Sequence, residues 1–448
     1  MTTRTLAEFA ATVKFDDIPA NVVDAAQRCI VDTVGVMIAG AGTDVAKVMH
    51  SFATRRGIAR APGNPLRLSG PADTAAVLYA TNGHALDFDD GLPGAAHASV
   101  PVLGAILGAT TGRALDAQRL IEAFVVGWEV VARVTRALGT EHYRRGWHTT
   151  GTAGTFGATA AACRVGGLSS AATATAFGIA GSLASGLRRN FGTMTKPLHS
   201  GVAAGNGVIC AELAESGLTA SPDVLDGAHG FLDLFGAADS QPSALESPGS
   251  PYALVDPGVI TKAYPCCYAT ARGVDAMLRL RPTVAFSQVD SIDCVGPIGS
   301  FVALAYARPE TELQAKFSME YALAAALLDG APHLLSFTDA AVRRPEARAL
   351  VARTTVREEA RCRPEDPTGT HSSPVAGGFV EVRIQLVDGT SRMARVEHAH
   401  GSPADPLSWA EIEAKFRACL ASTQVPAADT DVLLARLRST DHPDVFST

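Results

Sequence analysis

Along the first part of the chain, up to about residue 236, apolar residues recur at steps of three and four, as in the stretch 22–38. This spacing is typical of amphipathic helices. Several later stretches of this part are rich in Ala and Gly: 101–112, 119–138, 151–165, 169–186 and 200–216. Small side chains let neighbouring helix axes approach closely, so the pattern predicts a compact bundle of short helices with almost no strand.

The pattern changes near Pro251. Segments 289–295 and 379–387 alternate apolar and polar residues with period two, which predicts half-buried strands. Asp388-Gly389 predicts a hairpin turn, and 392–396 is the expected return strand. Helical spacing recurs between these strands, at 274–280, 317–329 and 344–354. We therefore expect an α+β domain in this part of the chain.

The last segment returns to helical spacing. Ser408 and Glu411 form the pattern of a capping box, and apolar residues follow at steps of four from Ile412. We expect this tail to pack on the first domain. The prediction is a mainly α protein with a discontinuous all-helical domain, 1–264 and 399–448, and a smaller α+β domain, 265–398.

Composition narrows the possible functions. The 448 residues carry a formal net charge of −7, which argues against nucleic acid or an anionic membrane as the main partner. No apolar run of about 18 residues lacks a charge or a Gly/Pro break, and the N-terminus lacks the apolar core of a signal peptide. The 8 Cys are scattered without a CxxC pair, so we expect neither a disulfide framework nor a zinc ribbon. The sequence predicts a reduced, cytoplasmic protein.

Charge is concentrated in one short stretch, 83–97, which holds three carboxylates and two histidines in a chain with only 19% charged residues. If the stretch is helical, Asp87 and Asp90 share a face while Asp89 points elsewhere. Clustered carboxylates could hold a divalent metal ion, or form the DxDD acid motif of certain terpene cyclases. With 6% aromatic residues, a carbocation-lining pocket is hard to supply. The purely structural alternative is a helix end capped by Asp.

Two further clusters could carry chemistry. Tyr143, Arg145 and His148 precede a Gly/Ala-rich helix predicted to begin near residue 150, and a helix N-terminus favours a bound carboxylate. Lys196 precedes a proline, which predicts a turn or extended backbone, and its apolar neighbours could desolvate it. Taken alone, each residue is as well explained by a structural role.

A fourth cluster, 262–268, lies at the expected domain junction. Lys262 could contact a carboxylate, whereas the adjacent Cys266 and Cys267 cannot easily chelate one metal ion. A catalytic thiolate would need a His, and none is near in sequence. Tyr321 is a further candidate, although a buried core tyrosine is the simpler interpretation.

Taken in order, these motifs resemble the MmgE/PrpD family over nearly the whole chain. They are 83–90 with His97, 146–148, 196–201, 262–265 and 317–321. The family includes 2-methylcitrate dehydratase, cis-aconitate decarboxylase and iminodisuccinate epimerase, which act on small polycarboxylates. The resemblance implies a homodimer with a large helical domain and a smaller α+β domain. It also implies a small di- or tricarboxylate substrate and a proton moved at a carbon next to a carboxylate.

The resemblance further implies which residues form the site, around one pocket between the domains. The implied catalytic residues are Lys196, His148, His97, Tyr143 and Asp87. The implied substrate-binding residues are Lys262, Tyr321, Arg145, His199 and Cys267. No metal or organic cofactor is implied, so the acids of 83–97 are expected to orient histidine or lysine.

Two departures bear on the reaction. The decarboxylase pattern has Thr directly after Asp90 and His at the position of Cys267, whereas this chain has Gly91 and Cys267. The motifs around Tyr143, Lys196 and Cys267 look like the iminodisuccinate epimerase branch. The sequence therefore favours an epimerase with Tyr143 and Lys196 as the acid/base pair. A lyase and a non-catalytic polycarboxylate-binding dimer are the alternatives.

Overall fold

The computed structural model describes residues 2–60, 66–93, 96–366, 377–423 and 425–447, and it is mainly helical. The chain divides into two compact units. The large unit comprises Met1–Leu187, Pro197–Thr261 and Ser408–Thr448, and the small unit comprises Arg188–Lys196 and Lys262–Leu407. The small unit therefore includes a segment, 188–196, that lies outside the α+β domain predicted from sequence.

The α-helices and strands follow one another with short 3-10 turns between them. The helices are α1 Thr2–Thr12, α2 Ala20–Gly40, α3 Asp44–Arg55, α4 Ala72–His84, α5 Ser99–Ala109, α6 Ala117–Leu138, α7 Thr140–Arg144, α8 Thr149–Gly166, α9 Ser170–Leu183, α10 Thr195–Glu215, α11 Phe231–Phe235, α12 Ala271–Leu280, α13 Glu312–Ala315, α14 Met319–Asp329, α15 Asp339–Val342, α16 Pro345–Ala352, α17 Trp409–Ala421 and α18 Ala427–Arg438. The strands are β1 Ala59–Arg60, β2 Leu68–Ser69, β3 Val289–Gly296, β4 Thr354–Glu358, β5 Val380–Leu386 and β6 Ser391–Val396.

Small residues bring the helices of the large unit close together. At Gly157 on α8, an added Cβ would lie 2.2 Å from Val131 Cγ2 and 2.5 Å from the Gly127 carbonyl oxygen, both on α6. No side chain larger than hydrogen fits at that distance, because interiors are packed to van der Waals contact. The close approach expected from the Ala/Gly-rich stretches is therefore present at the α6–α8 contact.

Helix α17, near the C-terminus, packs on α2. Its capping box is formed as the sequence predicts: the Glu411 amide donates to Ser408 Oγ at 3.3 Å, and the Ser408 amide donates to Glu411 Oε2 at 2.7 Å. Trp409 Nε1 donates to Asp24 on α2 at 2.8 Å. Phe416 lies over Gly35, so α2 has helices on both sides and is buried along most of its length.

The large unit also contains one short sheet. Strands β1 and β2 pair antiparallel. The Tyr79 hydroxyl on α4 holds the start of β2 in place, since it accepts from the Leu68 amide at 3.0 Å and donates to the Leu66 carbonyl at 2.8 Å. The prediction that this part is all-helical is wrong in that detail. Each strand has only two residues, too few for a period-two pattern to show in the sequence.

The small unit is built on a four-stranded sheet with the order β4-β3-β5-β6. Strand β3 pairs parallel with β4 and antiparallel with β5, which forms a hairpin with β6. The strands predicted at 289–295, 379–387 and 392–396 are confirmed to within a residue or two at each end. Strand β4 is an addition that the sequence analysis missed. Helices α12 and α14 contribute buried side chains to the same core, including Val274, Met277 and Leu323.

Segment 188–196 joins the small unit through aromatic contacts. The rings of Phe191 and Phe317 lie 5.4 Å apart between centroids, and the Tyr306 hydroxyl donates to the Phe191 carbonyl at 2.9 Å. These contacts place Lys196 with the small unit, although the rest of α10 belongs to the large one.

Within the described residues, no single helix combines the length and hydropathy that a membrane crossing requires. One bent pair, Ala20–Gly40 with Asp44–Arg55, meets the requirement jointly by length and composition alone.

Candidate active site

The acidic stretch of the large unit is a loop and not a helix. Helix α4 ends at His84, and Asp87 takes a left-handed backbone conformation with φ of +52°, which an Asp tolerates better than most residues but which stops a helix. The helical alternative, in which Asp87 and Asp90 would share a face, therefore does not apply. The loop is fixed instead by backbone pairing between Gly91 and Ile260, with N–O distances of 2.8 Å in both directions.

Asp89 is fully buried between two histidines. Its carboxylate oxygens lie 2.9 and 3.0 Å from Nδ1 of His84, and Oδ2 lies 3.0 Å from Nδ1 of His97. Burial alone would raise the pKa of Asp89, but the attraction of both imidazoles and their hydrogen bonds hold that pKa well below its ordinary value. Asp89 therefore stays ionised and serves as the shared acceptor of two imidazole N–H groups.

The surroundings of His97 fix which of its nitrogens carries a proton. Nδ1 also lies 2.7 Å from the carbonyl oxygen of Asp90, which can only accept, so Nδ1 is the donor. In the neutral ring Nε2 is then an unprotonated base, and the side chain is 16% exposed. The His97 amide donates to Thr150 Oγ1 at 3.0 Å, which ties the loop to the start of α8.

Among the described residues, His84, Asp89 and His97 also lie close enough together to be considered as a metal site. Metal ligation through Nδ1 would require that atom to be unprotonated. The short contact from His97 Nδ1 to a carbonyl oxygen requires the opposite. The donor set fits two N–H groups on a carboxylate better than it fits an ion.

A second pair of histidines lies beside the first. His148 is the N-cap residue of α8, with its amide bonded to the Gly186 carbonyl at 3.0 Å, and its Nδ1 lies 3.0 Å from Nδ1 of His199. One of these nitrogens must donate and the other accept, so the pair holds a single proton between its Nδ1 atoms. Gly186 has φ of +139°, and a Cβ there would lie 3.4 Å from the His199 ring.

The two pairs form one continuous group of imidazoles. The ring of His84 stacks on that of His148 with centroids 5.8 Å apart and an angle of 20°, and it meets the ring of His97 edge-on at 4.5 Å. His148 and His199 are 5.2 Å apart between centroids. We call these four residues, with Asp89, the histidine cluster. Three of its residues, His97, His148 and His199, were predicted from sequence as site residues. The other two, His84 and Asp89, were not named as site residues.

Tyr143 lies in α7 and Arg145 directly follows that helix, a few residues before His148 in the sequence. Their neighbour His142 has a structural role. Its Nδ1 donates to the Phe235 carbonyl at 2.7 Å, its Nε2 accepts from Thr152 Oγ1 at 2.9 Å, and burial lowers its pKa to about 4. Tyr143 is buried, while Arg145 is exposed and donates to the Gly236 carbonyl at 2.8 Å. The roles assigned to Tyr143 and Arg145 stay predictions.

Behind the loop lies a second set of buried charges. Ser99 Oγ donates to Asp90, while burial and the nearby carboxylates of Asp32 and Asp89 raise the pKa of Asp90 to about 7. Lys415 on α17 pairs with Asp32 at 2.7 Å and donates to the Phe88 carbonyl at 2.7 Å. The loop is thus held from behind by an ion pair that joins α2 and α17.

In the small unit, Lys196 is buried against aromatic rings. Its Nζ lies 5.3 Å from the ring centroid of Phe191 and 5.4 Å from that of Phe317, within the range of cation–π attraction. The prediction of a turn or extended backbone at Lys196 is wrong, since α10 begins at Thr195. Pro197 falls in the first helical turn, where its missing N–H costs nothing, and this position outweighs the usual bias of the preceding residue.

A further lysine organises the small unit's other predicted residues. Buried Lys316 donates from Nζ to the Pro265 carbonyl at 3.3 Å and lies 5.1 Å from the ring of Phe337, while its carbonyl accepts from the Cys267 amide at 2.9 Å. Lys262 is also buried, and Cys267 is half-buried. Segment 262–267, which carries both residues, is therefore hydrogen-bonded to Lys316, and Lys316 directly precedes the Phe317–Tyr321 motif.

Tyr321 lies in the core of the small unit. Its hydroxyl donates to the Ser336 carbonyl at 2.5 Å, and its ring packs edge-on against Phe337 at 5.6 Å. Burial raises its pKa to about 12, so the hydroxyl stays protonated. Its proposed contact with substrate stays a prediction, as does the single pocket expected to gather Asp87, the histidines and the lysines.

Two comparisons place the chain among known proteins. The family model of the MmgE/PrpD N-terminal domain matches residues 4–243, and that of the MmgE/PrpD C-terminal domain matches residues 264–437. Cis-aconitate decarboxylases of Mus musculus and Homo sapiens are each 30% identical to the chain, over 427 and 423 residues. Both alignments cover 91% of this chain, and they cover 84% and 85% of the relatives. Cis-aconitate decarboxylase of Aspergillus terreus is 30% identical over 249 residues, 52% of this chain and 50% of its own length.

Proposed function

Because the chain belongs to the MmgE/PrpD family, we propose that it is a lyase acting on a small di- or tricarboxylate, with a proton transferred at a carbon next to a carboxylate. The observation that carries the proposal is the position of His97. Its Nδ1 is bonded to Asp89 and to the Asp90 carbonyl, which leaves Nε2 to exchange a proton with substrate. General acid–base catalysis by such a histidine contributes ~10²–10⁴-fold in rate.

The relatives favour a lyase over the epimerase that the motifs suggested. Those matched over most of their length are named cis-aconitate decarboxylase, and none of the relatives compared is named as an epimerase. Decarboxylation of an unsaturated tricarboxylate needs a proton delivered to one carbon of the double bond. The electrons of the breaking C–CO2 bond then form the new double bond. An imidazole that alternates between its neutral and protonated forms near pH 7 suits this step.

The substrate's carboxylates also need cations. Lys196 and Lys262 are buried lysines of the small unit, and we propose that they attract the carboxylates that do not react. An ammonium group makes charge-assisted hydrogen bonds with a carboxylate, and these are stronger than neutral ones. The proposed reaction uses acids, bases and cations supplied by the chain itself.

An epimerase is the second candidate, and two residues favour it. Gly91 follows Asp90, and Cys267 lies in the loop after Lys262, where the decarboxylase pattern has Thr and His. Epimerisation requires an acid and a base on opposite faces of one carbon and no acid for a leaving group. Tyr143 and Lys196 are the pair proposed for that reaction.

Proton NMR of the purified enzyme in D2O, with cis-aconitate and with a panel of small dicarboxylates that includes iminodisuccinate, separates these functions. Loss of CO2 with deuterium at the product's new C–H position, or loss of water with formation of an alkene, supports the lyase. Exchange and stereochemical scrambling at an unchanged carbon skeleton supports the epimerase and overturns the lyase. Saturable calorimetric binding without turnover would identify a non-catalytic binder instead.

A further inference from the structure

We propose that His84 is a positioning residue which, by sharing the carboxylate of Asp89, limits the attraction that this carboxylate exerts on a protonated His97. The proposal rests on the proposed function only in taking His97 as the group that exchanges a proton with substrate. The acids of 83–97 were expected to orient a histidine or lysine, but neither His84 nor Asp89 was named as a site residue, because their relation depends on the turn between them.

The burial of the three groups shows why His84 acts through another residue. The side chains of His84 and Asp89 are fully buried, whereas that of His97 is 16% exposed. Within the histidine cluster, Nδ1 of His84 faces both oxygens of Asp89, at 3.0 and 2.9 Å. His84 therefore contacts the carboxylate from the inner side, while His97 contacts it from the outer side.

One carboxylate divided between two donors stabilises each protonated imidazole less than it would alone. An ionised acceptor beside an imidazole favours the charged ring, and that attraction is strong where water is excluded. A donor on the far side of the acceptor withdraws part of its charge, and a positive charge there would withdraw more. Whether His84 is neutral or protonated, its presence thus lowers the attraction that Asp89 exerts on His97.

The other groups near His97 are common to all the variants proposed below. Asp90 lies in the same loop, His148 and His199 come from α8 and α10, and the Asp32–Lys415 ion pair from α2 and α17 lies behind the loop. Cys29 on α2 faces Asp90, and burial keeps its thiol protonated by raising its pKa. A difference between variants at His84 therefore reports the shared carboxylate.

The test compares His84→Phe, His84→Asn and Asp89→Asn in the full-length enzyme. Phe keeps the ring but removes the donor, whereas the Asn amide nitrogen can occupy the position of Nδ1 and keep it. We expect the limb of the kcat/KM–pH profile that reports His97 to move up by about one pH unit in His84→Phe, to stay in place in His84→Asn, and to move down in Asp89→Asn. Opposite movements are not expected from a merely structural role.

A titration followed by NMR gives the same answer without substrate. In enzyme labelled with 13C at histidine Cε1, the His97 resonance is identified by its absence in His97→Gln, and its midpoint should shift in the same directions. If the midpoint in His84→Phe matches that of the wild type, or if His84→Asn shifts as far as His84→Phe, the proposal is wrong. A shift of the midpoints in an enzyme that turns over none of the candidate substrates would instead overturn the proposed function alone.

Discussion

The histidine cluster of the large unit and the lysines of the small unit are both buried, yet their neighbours differ in kind. The imidazoles contact one another and a carboxylate, as in the 3.0 Å contact between His148 and His199. Lys196 and Lys316 lie against aromatic rings, and Lys316 also donates to a carbonyl. Imidazoles linked to each other can pass a proton, whereas an ammonium packed against aromatic rings is a cation that can attract an anion. The comparison suggests that one unit moves protons and the other attracts anions.

The largest expected effect comes from removing His97, the residue proposed to exchange a proton with substrate. His97→Gln should lower kcat by ~10²–10⁴-fold with little change in KM, because a group that transfers a proton to or from substrate acts in the transition state and not in binding. Steady-state kinetics with the substrate found by NMR measures this, and His50→Gln on α3 serves as the control. A rise in KM at unchanged kcat would show that the histidine cluster binds substrate, and the contrast between the units would fail.

Removing a cation of the small unit should affect binding instead. Lys196→Met keeps the volume between Phe191 and Phe317 but removes the charge, so KM should rise by roughly 10–100-fold, the equivalent of ~1.5–3 kcal/mol for a charged hydrogen bond. Exposed Lys47→Met is the matched control. If kcat falls while KM is unchanged, Lys196 takes part in proton transfer, as the sequence analysis assigned it, and the division between the units is wrong.

The smallest effect concerns stability and pH. Because the pKa of Asp90 is raised to about 7 in the folded protein, the stability it contributes is complete below pH 4 and is lost as pH rises through 7. Asp90→Asn still accepts from Ser99 but does not titrate. The unfolding free energy of the wild type should therefore fall relative to the variant between pH 5 and 7, by at most ~1.4 kcal/mol per pH unit.

Urea unfolding at pH 5, 6, 7 and 8 measures this difference. Parallel curves for the wild type and Asp90→Asn would contradict the prediction. Lys196→Met in the same series should run parallel to the wild type, because Asp90 is retained in that variant. The pH dependence of the unfolding free energy would then arise in the large unit, which contains Asp90.

Local patterns predicted most of the elements but not their partners. The alternation in 289–295 and the turn at Asp388-Gly389 sufficed for β3 and for the β5–β6 hairpin. Strand β4 was missed because Val356 is its one apolar residue, and the strand is specified by parallel pairing with β3 far away in the sequence. Pairing of that kind leaves no periodic signal.

The site divides in the same way. His97 and His148 could be found because each lies in a short motif that resembles a known family. The pairing of Asp89 with His84 was missed because it depends on the left-handed conformation of Asp87, which cannot be read from residue types. A His five positions before an Asp, at a predicted helix end, is the signal that could have indicated the pair.

The ion pair behind the loop also sets an order of maturation. Lys415 reaches the Phe88 carbonyl across 327 residues of chain and pairs with Asp32 on α2. During synthesis the N-terminal helices can collapse early, but Asp32 and the acidic loop must wait for α17 before this ammonium arrives. The acidic loop is consequently among the last parts of the large unit to be completed. A nascent chain should therefore form its N-terminal helices well before His97 reaches its final contacts.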